Sequence, residues 1–276
     1  MDIVKRQIHY WCRETTERIY LGQNITTAVL DTGLYPHPDF AGRILDFKDY
    51  INGRNGLYDD SGHGTHVSGI LAGNGIMSKG ILAGIAPKSR LVALKVLDEK
   101  GNGNVSHIEE GIQWIRENKD KYHIRVLNLS AGADSEIGHE KEKILISAVE
   151  EVWDMGICVI VSAGNAVNED EITIPGTSGK IITVGMSDCK IYDRKKRNIR
   201  EKPDVFAPGK QIISCNAVKG AIKNPYTVKS GTSMATPVIS GVAALLMSKD
   251  PEISCMEIKK ILKNNELNVA KLLSEK

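Results

Sequence analysis

Apolar residues fall along this chain in two rhythms, and the alternation between them predicts the architecture. Short, nearly continuous apolar runs at 25–30, 91–97, 124–129, 157–161 and 181–184 are too unbroken for strands with one wet face. Weaker strands are expected at 44–50, 204–206 and 212–214. Between the runs, apolar residues recur at helical spacing. Ile108, Ile112 and Ile115 share one helical face behind the capping-box pattern Ser106-x-x-Glu109. Ile144, Ala148, Val149 and Val152 do the same in a helix expected at 140–155, with Gly156 as its stop. The small-residue segment 62–73 predicts a helix able to pack closely, and 234–247 predicts a long one. A last helix follows the pattern Ser254-x-x-Glu257, and a short one is expected at 8–19. Strands covered on both faces and alternating with helices imply an α/β fold, a mostly parallel, doubly wound sheet. Sites in such sheets lie at the carboxyl ends of the strands, where Asp31 and Asn165 fall.

Composition narrows the functional classes. The 276 residues are 41% hydrophobic, enough for one sizeable α/β domain, with no repeat, low-complexity tract or linker. Lys and Arg number 36 against 34 Asp and Glu, and a net charge of +2 calls for neither nucleic acid nor a membrane surface as partner. No apolar run approaches the ~18 residues of a membrane-spanning helix. Residues 1–7 are polar and lack the apolar core of a secretory signal. The five cysteines are scattered and show no CxxC spacing. Reduced thiols in a cytoplasmic protein are the simplest account, and a secreted protein without its leader stays open.

Four turns carry candidate chemistry. A serine hydroxyl becomes a nucleophile when a base takes its proton, a carboxylate orients that base, and donors hold the oxyanion. Ser233, His63, Asp31 and Asn165 supply those types, each in a Gly-rich turn or at a helix start. Each also has a plain structural reading: Ser233 as an N-cap, His63 as a helix-start histidine, Asp31 and Asn165 as turn residues. His66 forms H-x-x-H with His63, but a third ligand and HExxH spacing are missing, so zinc is disfavoured and His66 reads as a structural histidine.

Taken together, Asp31-Thr32-Gly33, Gly62-His63-Gly64-Thr65-His66-Val67-Ser68-Gly69, Ser162-Ala163-Gly164-Asn165 and Gly231-Thr232-Ser233-Met234-Ala235-Thr236-Pro237 resemble the subtilisin-like serine proteases, in that family's order. The resemblance spans about residues 20–250. It implies a serine endopeptidase acting through an acyl-enzyme. Ser233 would be the nucleophile, His63 the base, Asp31 its orienting carboxylate, and Asn165 with the Ser233 backbone N–H the oxyanion hole; Thr232 would assist. No cofactor is implied for the chemistry. The peptide substrate would lie extended along 101–105, including Gly101 and Gly103, and along Ser130-Ala131-Gly132. Ser130, Ala131 and Gly132 with Ser162, Ala163 and Gly164 would wall the S1 pocket, with Thr173 and Ile174 near its base. Small apolar walls point to apolar P1 residues, while Glu169-Asp170-Glu171 is either a solvated loop or an attractor of basic ones.

The sequence departs from that family in three places. About thirty residues precede Asp31, where secreted relatives carry a long prodomain. That implies an intracellular-type enzyme, or one whose prosegment is absent from this chain. On this reading 1–20 is an N-terminal segment, a short prosegment or arm able to obstruct the cleft, and 21–276 is one catalytic domain. Where relatives often have a calcium-binding loop, Asn74-Gly75-Ile76-Met77-Ser78-Lys79-Gly80-Ile81 is poor in oxygen ligands and carries a lysine, which makes calcium there doubtful. Where relatives have a Ser/Gly/Pro segment, 185–202 holds the basic run Arg194-Lys195-Lys196-Arg197-Asn198-Ile199-Arg200. It is a solvated loop, an acidic partner's docking site or a self-cleavage point. The alternative function is a pseudoprotease that binds a partner peptide without cutting it. Oligomeric state is not legible.

Overall fold

The apolar runs assemble into one parallel sheet. β1 (Thr26–Asp31), β2 (Ile44–Asp49), β3 (Arg90–Lys95), β4 (Ile124–Leu129), β5 (Cys158–Ser162), β6 (Ile182–Met186) and β7 (Val205–Ala207) pair in the order β2-β3-β1-β4-β5-β6-β7, every neighbour parallel. The computed structural model describes residues 1–10, 20–130, 138–164, 172–187, 202–217, 223–264 and 267–274. Every residue of β1 and β5 is buried, the expected result for strands covered on both faces. An antiparallel hairpin of β8 (Ile212–Cys215) and β9 (Tyr226–Lys229) stands apart from the sheet. The sequence pattern missed β9, because Tyr226, Thr227, Val228 and Lys229 show no burial alternation and only the partner strand defines them.

Helices cover both faces. α2 (His63–Ala72) packs on β1 and β3, and α5 (Thr232–Lys249) packs on β4 to β7 and against α2. α3 (Val105–Tyr122) and α4 (His139–Asp154) pack on each other and cover β1, β4 and β5. α2 lies between β2 and β3 in the chain and α3 between β3 and β4; α2 pairs with α5, and α3 with α4. α6 (Cys255–Asn264) and α7 (Val269–Ser274) close the chain. Close packing of α5 depends on small residues. A Cβ at Gly241 would lie 2.5 Å from the Cβ of Ile85.

Several local expectations change. The N-cap of α3 is Asn104, whose side chain accepts from the His107 amide at 2.8 Å, so Ser106 lies inside the helix and makes no capping box. In α4, Leu145 is buried and Ile144 is 43% exposed, so the apolar face is rotated by one residue. The other capping box is present: Ser254 and Glu257 exchange backbone and side-chain hydrogen bonds of 2.9 and 3.2 Å. The N-terminal helix is α1 (Asp2–Gln7), ending where the expected helix was to begin, and 11–19 lies outside the described residues. Residues 1–10 do not lie over the cleft. The Ile8 and His9 carbonyls accept from the Val269 and Ala270 amides at the start of α7, which packs on α5 and accepts from Lys249 at that helix's far end. Sixteen residues of helix put that end about 24 Å from Ser233.

Candidate active site

Asp31 ends β1, an interior strand between β3 and β4, so it lies at the carboxyl edge of the sheet. His63 opens α2 on that edge, and its Nδ1 donates to Asp31 Oδ1 at 2.7 Å. The same oxygen accepts from the Thr32 amide at 2.7 Å. Asp31 is 1% exposed and the His63 side chain 25% exposed, so the pair is shielded while the ring keeps an open side. Burial pulls the His63 pKa down, but the charge and hydrogen bond of Asp31 outweigh it and leave it raised above the usual 6.5. With Nδ1 committed to Asp31, Nε2 of the neutral ring is the free acceptor.

The approach of α2 to β1 is set by backbone. A Cβ at Gly64 would lie 2.2 Å from the Gly33 carbonyl and 3.1 Å from the Asp31 Cβ, so glycine alone lets the first turn of α2 come that near. Gly62, the N-cap, has φ 77° and contributes no side chain to cap the helix. Asp59 supplies the missing acceptor. Its carboxylate accepts from the Gly62 and Thr65 amides, both at 2.8 Å, from the Ser61 amide at 3.2 Å, and from the Thr65 and Thr32 hydroxyls at 2.6 and 2.8 Å. The Thr32 hydroxyl in turn accepts from the Gly64 amide at 2.9 Å. One buried carboxylate thus fixes the turn after Asp31 and the first turn of α2 together.

Lys95 completes this frame. It ends β3 opposite Asp31, is fully buried, and its ammonium donates to the Thr32 carbonyl and Asp60 at 2.7 Å and to the Leu97 carbonyl at 2.9 Å. Sequence reasoning passed over Asp59, Asp60 and Lys95. An acid four residues before a helix-start histidine is a readable capping signal, whereas a lysine inside an apolar strand gives no hint of its three acceptors.

Ser233 sits in the first turn of α5, partly exposed, and is not the N-cap. That place belongs to Gly231, at φ 145°. The Gly231 amide donates to the Gly209 carbonyl at 2.9 Å, just past the end of β7, so α5 also begins at the carboxyl edge. The ordinary capping role for Ser233 is therefore gone. Its hydroxyl stands on a helix start, where free amides carry partial positive charge.

The cleft residues are partly placed. Ser130 follows β4 and Ser162 ends β5, adjacent strands paired Leu129 to Val161, and both serines are buried. Ala163 accepts from the Thr173 amide at 3.0 Å, and Gly164, at φ 94°, lies under Thr173, whose Cγ2 would be 2.5 Å from any Cβ there. Ile174 is buried behind them. Gly101 is exposed at the end of an Asp98 turn, and a Cβ at Gly103 would strike Leu97. Val105 is already the first residue of α3, so the expected edge segment 101–105 is irregular backbone as far as Asn104 and helix from there. Asn165, Ala131, Gly132, Glu169-Asp170-Glu171 and the basic run 194–200 lie outside the described residues.

His66 is fully buried, and its Nε2 donates to the Ile212 and Thr227 carbonyls at 3.1 and 3.2 Å. It bolts α2 to the β8–β9 hairpin, as a structural histidine should. Burial is the main cause that lowers its pKa to about 3. Among the described residues, the His, Cys and acid side chains close enough to share a metal are His37, Asp39 and Cys215, not His63 or His66. The loop 74–81 does not fit a calcium ion. Asn74 Oδ1 accepts from the Ile76 amide at 2.9 Å, the Ser78 hydroxyl donates to the Gly75 carbonyl at 2.9 Å, and that carbonyl also accepts from the Ser78 and Gly80 amides. Both side-chain oxygens of the loop, Asn74 Oδ1 and Ser78 Oγ, are spent on the loop's own turns. Among the described residues, no helix is long and apolar enough to cross a membrane.

A parallel sheet with an Asp–His pair at one strand end and a serine at a neighbouring helix start defines a class that known proteins share. The Peptidase_S8 family model, described as the subtilase family, matches residues 22–275. The chain belongs to the subtilase family. It is 40% identical to Serine protease AprX of Bacillus subtilis (strain 168) over 270 residues, 88% of this chain and 61% of AprX. It is 32% identical to Subtilisin DY of Bacillus licheniformis over 254 residues, 91% of this chain and 86% of that protein. It therefore spans less than two thirds of AprX. The crystal structure of a cold adapted subtilisin-like serine proteinase matches with a TM-score of 0.71 and 29% identity, covering 88% of this chain and 82% of that one.

Proposed function

We propose that the chain is a serine endopeptidase. The 2.7 Å hydrogen bond from His63 to buried Asp31, at the head of a helix packed on the Ser233 helix, is the observation that carries this reading. Ser233 Oγ attacks the scissile carbonyl while His63 Nε2 takes its proton. His63 then passes that proton to the leaving amine, and water releases the acyl group by the same route in reverse. Asp31 holds the ring in the Nδ1–H tautomer and stabilises its charged form. The Ser233 backbone N–H and the Asn165 side chain hold the oxyanion, by analogy with the family motif Ser162-Ala163-Gly164-Asn165.

Residues 21–276 act as one catalytic domain, with 1–20 as an arm. An extended peptide runs past the ends of β4 and β5, with Ser130, Ala131, Gly132, Ser162, Ala163 and Gly164 walling the P1 pocket and Gly101 and Gly103 lining the approach. The small, buried Ser162 and Ala163 support small or apolar P1 residues. The three described cysteines are free thiols, which supports work in the reducing cytoplasm. Labelling with a fluorophosphonate tests the chemistry. Wild type is expected to label at Ser233 and to cleave casein, and Ser233→Ala to do neither. Folded wild type that fails to label would point instead to a peptide-binding pseudoprotease.

A further inference from the structure

At the amino-terminal edge of the sheet, away from Asp31 and Ser162, two thiols meet. Cys158 is the first residue of β5 and Cys255 the first of α6, 97 positions later, and their side chains are hydrogen-bonded to each other. Both are buried, Cys158 completely and Cys255 at 6% exposure, and both are free. Nothing in the proposed peptide chemistry uses either.

The contact is held from both sides. Lys259, one turn after Cys255, donates to the Gly179, Lys180 and Ile181 carbonyls at 2.6, 3.2 and 2.8 Å, which pins α6 to the turn before β6. Arg125 begins the approach to Val126, the β4 partner of Cys158, and donates to the Pro251 and Ile253 carbonyls at 3.0 and 3.5 Å. The Ser254–Glu257 capping box fixes the first turn of α6. Cys255, Ser254, Arg125 and Met256 line one open groove of ≈ 1030 Å³, so a small oxidant reaches Cys255 while Cys158 lies behind it.

We propose that Cys158 and Cys255 form a redox modification site at which hydrogen peroxide joins β5 to α6 through a disulfide. Cys255 is the attacking sulfur. The hydrogen bond from Cys158, with the Arg125 charge, lowers its pKa against the effect of burial, and the start of a helix favours the thiolate further. Cys158, whose pKa is raised by that hydrogen bond and by complete burial, is the resolving thiol. In the first step the Cys255 thiolate attacks one peroxide oxygen, the O–O bond breaks, hydroxide leaves, and sulfenic acid remains. In the second the Cys158 sulfur displaces hydroxide from the sulfenic sulfur, and the proton of its thiol completes a water molecule. Two thiols and one peroxide become one disulfide and two waters. The sulfurs need to close from hydrogen-bonding contact to a bond of about 2 Å.

Full-length Ser233→Ala protein, which cannot digest itself, is treated with hydrogen peroxide, blocked with iodoacetamide and mapped by mass spectrometry without reduction. The expected product is one cross-linked peptide pair joining Cys158 and Cys255, two hydrogens lighter than the thiols and restored by dithiothreitol. In Cys158→Ser, dimedone is expected to trap sulfenic acid at Cys255. Alkylation of both thiols after peroxide overturns the proposal, as does a disulfide that pairs either with Cys12, Cys189 or Cys215. Dimedone on Cys158 in Cys255→Ser, with none on Cys255 in Cys158→Ser, overturns the assignment of attacker and resolver. The unsubstituted cysteines in the first experiment decide the matter even if a variant misfolds.

Discussion

At His63, burial and charge pull in opposite directions, and the balance decides whether the ring can serve as a base. Burial alone would lower its pKa, while the Asp31 carboxylate 2.7 Å away raises it further than burial depresses it. The sign predicts a titration. In Ser233→Ala protein followed by NMR, His63 is expected to titrate above 6.5. Adding Asp31→Ala leaves burial dominant and should move it below 6.5; a value that stays put would show that Asp31 does not govern the ring. His66, three residues on, has the same ring and the opposite outcome. It faces two carbonyls and no carboxylate, so it stays neutral. The sequence pattern H-x-x-H says nothing of this difference, which arises because one ring points at the end of β1 and the other into the β8–β9 hairpin.

The element that matters most is the first turn of α2. Its N-cap is a glycine with no side chain to offer, so its amides are met by Asp59, reaching from the preceding loop. Asp59 also holds Thr32, next to Asp31, and so ties the histidine and its carboxylate to one acceptor. Asp59→Ala is expected to lower stability by about 1–3 kcal/mol, since it strands buried donors. It should also lower kcat by about tenfold or more by loosening the Asp31–His63 geometry, with KM nearly unchanged because Asp59 does not border the proposed cleft. Peptide kinetics and denaturant unfolding read the two effects separately, and an unchanged kcat in a destabilised variant would reduce Asp59 to scaffold. α5 shows the complementary case. Its start is shaped by Gly231 and by the close approach to Gly209, whose added Cβ would lie 2.6 Å from the Gly231 carbonyl. Both helices are thus aimed by positions where a side chain is excluded.

Over the whole molecule, buried histidines couple stability to pH. His66 and His37 both have lowered pKa values, chiefly from burial, so the unfolded chain binds their protons first. Each contributes stability that is lost as pH falls below about 6.5, by up to about 1.4 kcal/mol per pH unit. His63 acts in reverse: its raised pKa gives stability present below 6.5 and lost as pH rises through its folded value. The His63 contribution is already complete below 6.5, so His66 and His37 alone set the trend there, and stability is expected to fall between pH 6.5 and 5. Denaturant melts at both pH values should show the drop, and His66→Gln should flatten it; equal sensitivity in the variant would contradict the assignment. Much of this protein was legible in the chain itself. Continuous apolar runs set the parallel sheet, because strands buried on both faces cannot alternate, and the motif resemblance pointed to Asp31, His63 and Ser233, which the fold carries to the carboxyl edge of the sheet, while Asn165 lies outside the described residues. The periodic signal failed where a neighbour decides the outcome: β9 exists only beside β8, and Leu145 instead of Ile144 faces the core of α4. The tertiary structure alone decided which buried polar groups find partners. Asp59, Lys95, His66 and the Cys158–Cys255 pair meet their contacts across distant segments, and no local pattern records a hydrogen bond made 27 to 161 residues away.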